Sequence, residues 1–572
     1  MKTLNLHCDS ISFKTVRKAL KNIDEIAPTQ NMEGSMKDCL VVMIAVEKGD
    51  SPKTIPLLIE SIKKIAGEVK TENIVIYPYA HLSRNLSSPE TAINILNEAS
   101  KKLNEFNVIQ APFGYYKEFE IKVKGHPLAE LSREIRVQGN EEEMDLSADE
   151  RDRLLKKLAK IKMQATRGKD GLKSNVELGR ELDLFIVSEI IGQGLPLLTP
   201  KGTAIKREIE RFIVDEELKR GYEHTSTPVM AKSDLYKISG HWQHYKKDMI
   251  TMDVHGEDYA LRPMTCPFQF VLYKRKPRSY KDLPKKYAEI SSLFRNEQSG
   301  ELRGLTRLRQ FTLADAHIIC TPEQVEDEFK KVMDLIKYVM DVLGIQIWYR
   351  FSKWDPKNKN KKYVDDAKSW EATQKSMKKI LDKMKIEYVE AEDEAAFYGP
   401  KLDLQYKDVY GKEDTLITVQ IDFALPEKFD LKYLDKDGKE KLPIVIHRSS
   451  TGATERVISY ILEKTQGNLP LWLSPIQVKV MNLNEKTEKY AKEVHEALFS
   501  KGIRSELDIS NESIGKKARN AIVEKAFYLV TVGEKEKSSK KVAIRARNLD
   551  KISTVSLDNF IKKLKEEIEK RN

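Results

Sequence analysis

The chain has 572 residues, of which 40% are hydrophobic and 33% are charged, and its net charge is +11 with a pI near 9.0. This composition supports several buried cores and excludes a wholly disordered chain, and the length predicts about three or four domains. No apolar run approaches the ~18 residues of a membrane span or forms a signal peptide, so we expect a cytoplasmic protein. The four cysteines form no CxxC pair, which argues for a reducing compartment and against a disulfide framework or a zinc ribbon.

Residues 1–137 alternate between strand-like and helix-like segments and predict a compact α/β domain. The runs LVVMIAVE (40–47) and NIVIYPYAHL (73–82) are rich in β-branched residues and predict buried strands, with a periodic helical segment between them. A polar, acidic stretch then marks a domain boundary. The capping box SADE (147–150) opens a charged helix, so residues 138–172 are predicted to be a helical linker.

Residues 173–474 form the largest block, with the long strand candidates ITVQIDFAL and LPIVIHR and several helices such as EQVEDEFKKVMDLIKYVMDVL. Regular crossovers of about 30 residues do not separate the strands, so an α+β domain with a mixed or antiparallel sheet is predicted. Residues 475–572 follow the order β-α-β-α-β-β and predict a small α/β domain. Within it, EKEKSSKK (534–541) is predicted to be a solvated lysine-rich loop.

The positive charge is concentrated near the C-terminus. Residues 476–572 contain 22 Lys+Arg and 15 Asp+Glu, so they carry +7 of the net +11. A basic domain on a nearly neutral body indicates contact with a polyanion such as nucleic acid. A solvated lysine-rich surface, common in heat-adapted proteins, is the alternative.

Three segments of the central block carry candidate phosphate-binding chemistry. RGYEHTSTPVM (220–230) is a strand-like stretch that is uninformative alone. LFRNEQSGELRGLTRLRQF (293–311) is rich in arginine, whose guanidinium groups match phosphate oxygens bidentately, and it ends in an aromatic residue that can stack on adenine. GATERVISYILE (452–463) predicts a helix that starts at glycine and carries Arg456 in its second turn, a candidate phosphate site. Singly, these segments could equally be a basic surface hairpin and an exposed arginine.

Together the three segments resemble motifs 1, 2 and 3 of class II aminoacyl-tRNA synthetases. The segments SGHWQHYKKDM, LRPMTCPFQF, YKDLPKKYAEI, FTLADAHIIC, AAFYGPKLD and IHRSSTGATER resemble threonyl-tRNA synthetases in order and spacing. The resemblance covers residues 173–472. It implies an antiparallel class II catalytic domain that uses ATP with Mg²⁺, and a homodimer, because motif 1 lies at the dimer interface in this family.

The resemblance also implies roles for individual residues. Arg295 would bind the ATP α-phosphate and the amino-acid carboxylate, and Arg456 would bind the γ-phosphate. Glu297 would accept a hydrogen bond from the adenine amine, while Phe311 would stack on the ring. Further implied contacts are made by Arg307 and Gln420 to the nucleotide, by Met264, Asp315 and Tyr398 to threonine, and by His241 in transfer to the terminal ribose of tRNA.

Cys266, His317 and His447 are candidate metal ligands. They lie 51 and 130 residues apart, which is no local zinc motif, and on spacing alone each could be a buried core residue. In the resemblance all three match the family's Zn²⁺ ligands. Zinc held by one Cys and two His keeps open positions for the amine and hydroxyl of threonine, and valine lacks that hydroxyl. Leu313 and Thr415 depart from the family pattern, so we assign them no role.

A proofreading site is expected because serine differs from threonine by only one methyl, worth ~1–3 kcal/mol. IYPYAHLS (76–83) and APFGYYKEFEIKVKGHPLAELSR (111–133) resemble the archaeal-type editing domain, whose fold is similar to that of D-aminoacyl-tRNA deacylase. A lysine among tyrosines could stabilise the oxyanion of ester hydrolysis. Alone, the YYK run could be an amphipathic edge strand. The candidate editing residues are His81, Tyr115, Tyr116, Lys117 and Glu130.

Residues 475–572 resemble the anticodon-binding domain of the threonyl, prolyl, histidyl and glycyl enzymes. WLSPIQVKVM, NESIGKKAR, TVGEKE and VAIRAR carry the match. Asn511, Glu536 and Arg545 would contact anticodon bases, since loop bases are read on their edges by such side chains. Lys525 departs from the family pattern. The implied partners are therefore tRNA(Thr), ATP and L-threonine.

Two alternatives stay open from the sequence. One is another class II synthetase, such as the prolyl enzyme, but a proline pocket has no use for the Cys-His-His set. The other is a non-catalytic tRNA-binding regulator derived from a synthetase. Such proteins lose the motif arginines, whereas Arg295 and Arg456 are both present here.

Overall fold

A computed structural model describes residues 1–20, 31–83, 85–135, 148–159, 171–357, 363–547, 549 and 551–571. The chain divides into two compact units, residues 1–147 and residues 148–572. Among the described residues, no helix has the length and apolar character needed to cross a membrane.

Unit 1 is a mixed sheet with helices packed on one face. Its described elements are β1 (Lys2–Lys18), β2 (Glu33–Ala45), α1 (Ile55–Val69), β3 (Asn73–Pro78), α2 (Pro89–Lys102), β4 (Asn107–Gln110), β5 (Tyr115–Val123) and β6 (Glu130–Glu134). The strand order is β4-β3-β2-β1-β5, and β6 pairs with β1. Apolar side chains of both helices pack against β2 and β3 and form one core.

The strand predicted over residues 73–82 is shorter than expected. It ends at Pro78, and a turn of 3-10 helix follows over Ala80–Leu82. Proline lacks the N–H group that a further ladder bond would need. Most of the predicted linker, including the capping box that begins at residue 147, lies outside the described residues. Its described part contains helix α3 (Ala148–Ala159).

The central part of unit 2 is built on an eight-stranded sheet. Its helices are α4 (Asn175–Glu181), α5 (Pro200–Lys219), α6 (Ser233–Ile238), α7 (His241–His244), α8 (Cys266–Lys274), α9 (Val325–Leu343), α10 (Ala367–Lys383), α11 (Leu425–Lys428) and α12 (Thr454–Thr465). Its strands are β7 (Phe185–Ile186), β8 (Leu197–Leu198), β9 (Glu223–His224), β10 (Met230–Lys232), β11 (Thr251–Val254), β12 (Glu257–Leu261), β13 (Lys285–Phe294), β14 (Gln310–Cys320), β15 (Trp348–Ser352), β16 (Tyr388–Ala391), β17 (Lys401–Lys407), β18 (Glu413–Asp422), β19 (Tyr433–Leu434), β20 (Glu440–Lys441) and β21 (Ile444–Ala453).

The strand order in this sheet is β16-β15-β17-β18-β21-β14-β13-β9. Neighbours are antiparallel except for the outer pairs β15/β16 and β13/β9, so the predicted mixed, largely antiparallel sheet is present. Side chains of α5, α9 and α12 form the largest core with one face of the sheet. On β14, Ala314, Ala316 and Ile318 belong to this core. Because strand side chains alternate, Asp315 and His317 point to the other face.

The predicted start of the third motif helix was wrong. Gly452 lies within β21, α12 begins at Thr454, and Arg456 is therefore in its first turn. Gly452 has φ +76°, and a Cβ there would lie 2.0 Å from the carbonyl oxygen of Leu416. The close approach of β18 thus requires glycine inside the strand.

The C-terminal part of unit 2 is a five-stranded sheet flanked by helices. Its elements are β22 (Val478–Asn482), α13 (Glu488–Phe499), β23 (Ser505–Asp508), α14 (Ile514–Val523), β24 (Tyr528–Val532), α15 (Glu534–Ser539), β25 (Lys541–Ala546), β26 (Ser553–Ser556) and α16 (Leu557–Glu569). The order is β23-β22-β24-β25-β26. The predicted lysine-rich loop at 534–541 was wrong, because α15 forms there. The Gly533 N–H donates to the Glu536 carboxylate at 3.0 Å and caps the helix.

Candidate active site

One cavity of about 630 Å³ lies in the central part of unit 2. It gathers side chains from motifs that are far apart in sequence, and every candidate that the sequence places in this block lines it. These candidates are His241, Met264, Cys266, Arg295, Glu297, Arg307, Phe311, Asp315, His317, Tyr398, Gln420, His447 and Arg456.

The candidate metal ligands meet at one end of the cavity. Cys266 begins α8, and His317 on β14 lies directly opposite His447 on β21 in the antiparallel register. The two ring centroids are 4.6 Å apart, and the ligand atoms of all three side chains lie within 4.8 Å of one another. All three residues are buried. One sulfur and two imidazole nitrogens form a donor set that suits Zn²⁺ with a position left for substrate.

Burial strongly affects the ionisation of Cys266 and His317. It raises the pKa of the Cys266 thiol well above its ordinary value, and the nearby carboxyl of Asp315 adds to this effect. Burial lowers the pKa of His317, which therefore stays a neutral imidazole. A bound cation would stabilise the thiolate in this site, so the residues present fit a metal ion.

The motif arginines line the same cavity. The Arg295 guanidinium is 5.0 Å from the ring centroid of Phe311. Arg456 Nε donates to the carbonyl oxygen of Thr306 at 3.1 Å, and this hydrogen bond holds the Arg456 side chain against another residue of the cavity lining. Glu297 accepts a hydrogen bond from Arg307 Nε at 2.8 Å, so an incoming nucleotide must share or break this ion pair.

Four further candidates line this cavity: His241, Tyr398, Gln420 and Asp315. His241 is 2% exposed, and burial lowers its pKa to about 3, so the ring is neutral. Its Nδ1 lies 2.8 Å from the Ser239 hydroxyl, which leaves Nε2 available. The Tyr398 hydroxyl donates to Gln420 Oε1, while Asp315 accepts a hydrogen bond from the backbone N–H of Thr265 at 3.3 Å.

The sequence missed several residues that touch this site. Lys401 lines the cavity, and Gln269 and Asp422 contact the two candidate histidine ligands. Gln269 lies three positions after Cys266 on α8, and that spacing on a helix was the one available signal. Nothing local indicates Asp422, because its contact depends on the pairing of β18 with β21.

Four of the five editing candidates lie at the start of β5 or in the turn after β3. Lys117 Nζ donates to the carbonyl oxygen of Pro112 at 2.8 Å and lies 4.9 Å from the ring centroid of Tyr77. Burial lowers the pKa of Lys117 to about 8. Tyr116 is exposed beside Arg17, and Tyr115 precedes it on β5. His81 is exposed and has an edge contact with Tyr79, which in turn contacts Tyr77.

Within this chain Glu130 lies far from Lys117 in the sheet. Lys117 pairs with Thr15 on β1, whereas Glu130 pairs with Leu6 on the same strand. Nine residues of β1 separate these positions, which is about 30 Å along an extended strand. Glu130 is exposed at the start of β6.

The anticodon candidates are spread over the C-terminal sheet. Asn511 is exposed in the loop after β23, and Glu536 lies on the helix that follows β24. The carboxyl ends of these parallel strands meet at one edge of the sheet. Arg545 pairs with Leu529 near the opposite end of β24. The carboxylate of Glu536 already accepts the Gly533 N–H, so it serves as a helix cap here.

Three family descriptions match separate parts of the chain. Residues 1–135 match the archaea-specific editing domain of threonyl-tRNA synthetase. Residues 245–465 match the tRNA synthetase class II core domain (G, H, P, S and T), and residues 477–567 match an anticodon binding domain.

Individual relatives give the same result. A threonine–tRNA ligase from Clostridium perfringens (strain SM101 / Type A) is 54% identical over 400 residues, which are 69% of this chain and 62% of that protein. The chain thus spans less than two thirds of the length of the curated relatives it matches. The crystal structure of the RNA binding domain of a Cryptosporidium parvum threonyl-tRNA synthetase is 35% identical with a TM-score of 0.66, over 69% of this chain and 98% of that one. A threonyl-tRNA synthetase structure from Aeropyrum pernix is 27% identical with a TM-score of 0.61, over 70% and 97%.

Proposed function

Since the chain belongs to the threonyl-tRNA synthetase family, we propose that it is an AMP-forming threonine–tRNA ligase with its own editing activity. It would activate threonine with ATP, transfer it to the terminal adenosine of tRNA(Thr), and hydrolyse seryl-tRNA(Thr). The observation that carries the proposal is the single cavity that joins a Cys-His-His set to the motif arginines.

In the activation step the threonine carboxylate attacks the α-phosphorus of ATP, and pyrophosphate leaves. The carboxylate is already a nucleophile, so the chain must position it and neutralise negative charge. Arg295 would bind both reacting groups. It lines the cavity beside Phe311, whose ring would stack on adenine. Arg456 would bind the γ-phosphate, and Mg²⁺ would accompany the nucleotide.

Cys266, His317 and His447 would hold one Zn²⁺ per subunit. Bound zinc would supply open coordination positions for the amine and β-hydroxyl of threonine. Asp315 and Tyr398 lie beside the three ligands and would contact the bound amino acid. A site built around a hydroxyl rejects valine strongly, because its polar groups would be left unpaired.

In the transfer step the terminal ribose hydroxyl attacks the threonyl carbonyl, and AMP leaves. The neutral ring of His241 is the form that can accept a proton. Its hydrogen bond with Ser239 fixes Nδ1, so Nε2 would face the ribose. His241 therefore assists transfer rather than activation.

Editing would take place in unit 1. Lys117 would stabilise the oxyanion of ester hydrolysis, and the match of residues 1–135 to an editing domain supports this role. His81, Tyr115 and Tyr116 would contact the tRNA end or the seryl group. Glu130 would hold the seryl amine only if a further element brought it to Lys117.

We assign four domains: 1–137 for editing, 138–172 as linker, 173–474 for catalysis and 475–572 for the anticodon. The division of the chain near residue 147 and the three matched segments support these limits. Asn511, Glu536 and Arg545 would read anticodon bases. The four cysteines are unpaired, which fits a cytoplasmic enzyme.

A homodimer would bury apolar surface around the first motif. Several large apolar side chains in this region are exposed by 38% or more: Ile190, Ile191, Leu197, Leu218, Val229, Met230 and Ile238. A dimer that brings these side chains together in one buried patch would account for their exposure in the single chain. Sedimentation of the full chain should give a dimer, and Val229→Asp should shift it to the monomer.

The experiment that tests the main proposal is ATP–pyrophosphate exchange with threonine, serine and proline in turn. Strong exchange with threonine, weaker exchange with serine and none with proline are expected. Exchange with proline alone would favour the prolyl alternative. Tight tRNA binding without any exchange would favour the non-catalytic one.

A further inference from the structure

Both candidate histidine ligands have one ring nitrogen already committed to another side chain. The Nδ1–H of His317 donates to Oε1 of Gln269 at 2.6 Å. The Nε2–H of His447 donates to Oδ2 of Asp422 at 2.8 Å. Gln269 and Asp422 are both 0% exposed, so solvent does not compete for these bonds. The nitrogens left for a metal are therefore Nε2 of His317 and Nδ1 of His447.

The orientation of Gln269 is itself fixed by a chain of hydrogen bonds. Its Nε2 donates to the hydroxyl of Thr225 at 2.9 Å, so its Oε1 must face His317. The Thr225 hydroxyl donates to Glu289 at 2.9 Å, and Glu289 is ion-paired with the buried Arg262 at 2.8 Å. A carboxamide held in this way can only accept from the ring, which sets the tautomer of His317.

Asp422 is held in a comparable way by the backbone. Its Oδ1 accepts the N–H groups of Ala424 and Leu425, both at 2.9 Å, which leaves Oδ2 for His447. The residue also carries a negative charge that Gln269 lacks. A divalent cation with one thiolate ligand has a net charge of +1. The buried carboxylate of Asp422, which is hydrogen-bonded to the ligand His447, offsets that charge.

We propose that Gln269 and Asp422 are positioning residues of the metal site, which hold the two imidazoles in opposite tautomers so that the metal is bound through Nε2 of His317 and Nδ1 of His447. The inference rests on the proposed zinc site and deepens it. Because Asp422 also balances the charge of the metal, its loss lowers the metal affinity more than the loss of Gln269 does.

The test measures metal binding by the full-length protein, not only its activity. Gln269→Leu removes the acceptor, and Gln269→Glu keeps one. In Asp422→Asn the carboxamide oxygen still accepts the two backbone N–H groups, so an NH2 donor replaces the acceptor that faces His447. Asp403→Asn is the matched control, because Asp403 is another fully buried aspartate whose partners include no candidate metal ligand. These partners are the hydroxyls of Ser352 and Thr418 and the side chains of Arg350 and Lys401. Zinc affinity is measured by competition with a chelator, and the absorption spectrum of the cobalt-substituted protein reports the ligand geometry.

We expect zinc affinity to fall about 10–100-fold in Gln269→Leu and Asp422→Asn, with the larger loss in Asp422→Asn and an altered cobalt spectrum in both. Gln269→Glu and Asp403→Asn should bind zinc within a few-fold of the parent protein. If Gln269→Leu fails to fold, Thr225→Val, which removes only the group that orients the carboxamide, should give a smaller loss in the same direction.

Folded Asp422→Asn and Gln269→Leu proteins with unchanged zinc affinity and cobalt spectrum would overturn the positioning roles. So would zinc-loaded crystals in which anomalous scattering places the metal on the same nitrogen of both rings. Cys266→Ala separates this failure from failure of the zinc site itself. If Cys266→Ala binds zinc like the parent protein, it is the site that is wrong.

Discussion

Lys117 gives the sharpest test of the editing assignment. Burial lowers its pKa from 10.5 to about 8. A lysine with that pKa is about nine-tenths protonated at pH 7 and about one-tenth protonated at pH 9, because it loses its proton as the pH rises through the pKa. If the ammonium group stabilises the oxyanion, enzyme-dependent hydrolysis of seryl-tRNA(Thr) should fall about tenfold between these two pH values.

The assay is the initial rate of deacylation of preformed seryl-tRNA(Thr), after subtraction of the rate without enzyme at each pH. Lys117→Arg should remove the fall, since a guanidinium stays charged over this range. Lys117→Met should lose deacylation at every pH but keep threonylation. Lys122→Met is the control, because Lys122 lies on the same strand and is exposed, and its one ion pair among the described residues is with Asp9 at 3.2 Å. A rate that stays level or rises from pH 7 to pH 9, or an equal fall in Lys117→Arg, would refute the reasoning.

Three further predictions concern the catalytic part. Cys266→Ala should abolish threonine-dependent ATP–pyrophosphate exchange together with zinc binding, and retained exchange would contradict the ligand set. Arg295→Lys should lower the exchange rate by about 10²–10³, because an ammonium group cannot bind two phosphate oxygens as a fork does; an unchanged rate would argue against the role of Arg295. Gly452→Ala should lower the Tm and the yield of folded protein, because its Cβ would meet the Leu416 carbonyl at 2.0 Å in a left-handed backbone conformation; Gly411→Ala, at φ +79° with open space around it, controls for the backbone term.

The sequence was a good guide to local structure but not to long-range pairing. Periodicity predicted helix α9 and strands β18 and β21, because each depends on residues a few positions apart. The motif candidates could be named from a family resemblance, but their convergence depends on strand register. His317 and His447 are 130 residues apart, and only the alignment of β14 with β21 places them opposite each other.

The missed features have two physical origins, distant partners and a local helix cap. Gly452 looks like a helix start in the sequence, whereas the structure needs it for the approach of a distant strand. The segment EKEKSSKK looks like a solvated loop because of its charges. In the structure it forms a helix, whose first turn is capped by the hydrogen bond from the Gly533 N–H to the Glu536 carboxylate. Asp422 carries no local signal, since its partner His447 comes from another strand. A tertiary partner therefore decided the outcome at Gly452 and Asp422, whereas a local cap decided it at residues 534–541.

The two proposed sites answer different parts of one selection problem. A metal that binds an amine and a hydroxyl separates threonine from valine, but serine offers the same two groups. The missing methyl of serine is worth only ~1–3 kcal/mol, or about 10–200-fold, whatever the packing of the cavity. Further refinement of the Cys266, His317 and His447 site therefore cannot reject serine well enough for translation. If a hydrolytic site acts after transfer, the overall discrimination against serine is the product of the selectivity of activation and the selectivity of hydrolysis. In unit 1 the partly buried amine of Lys117 would supply the chemistry for this second step.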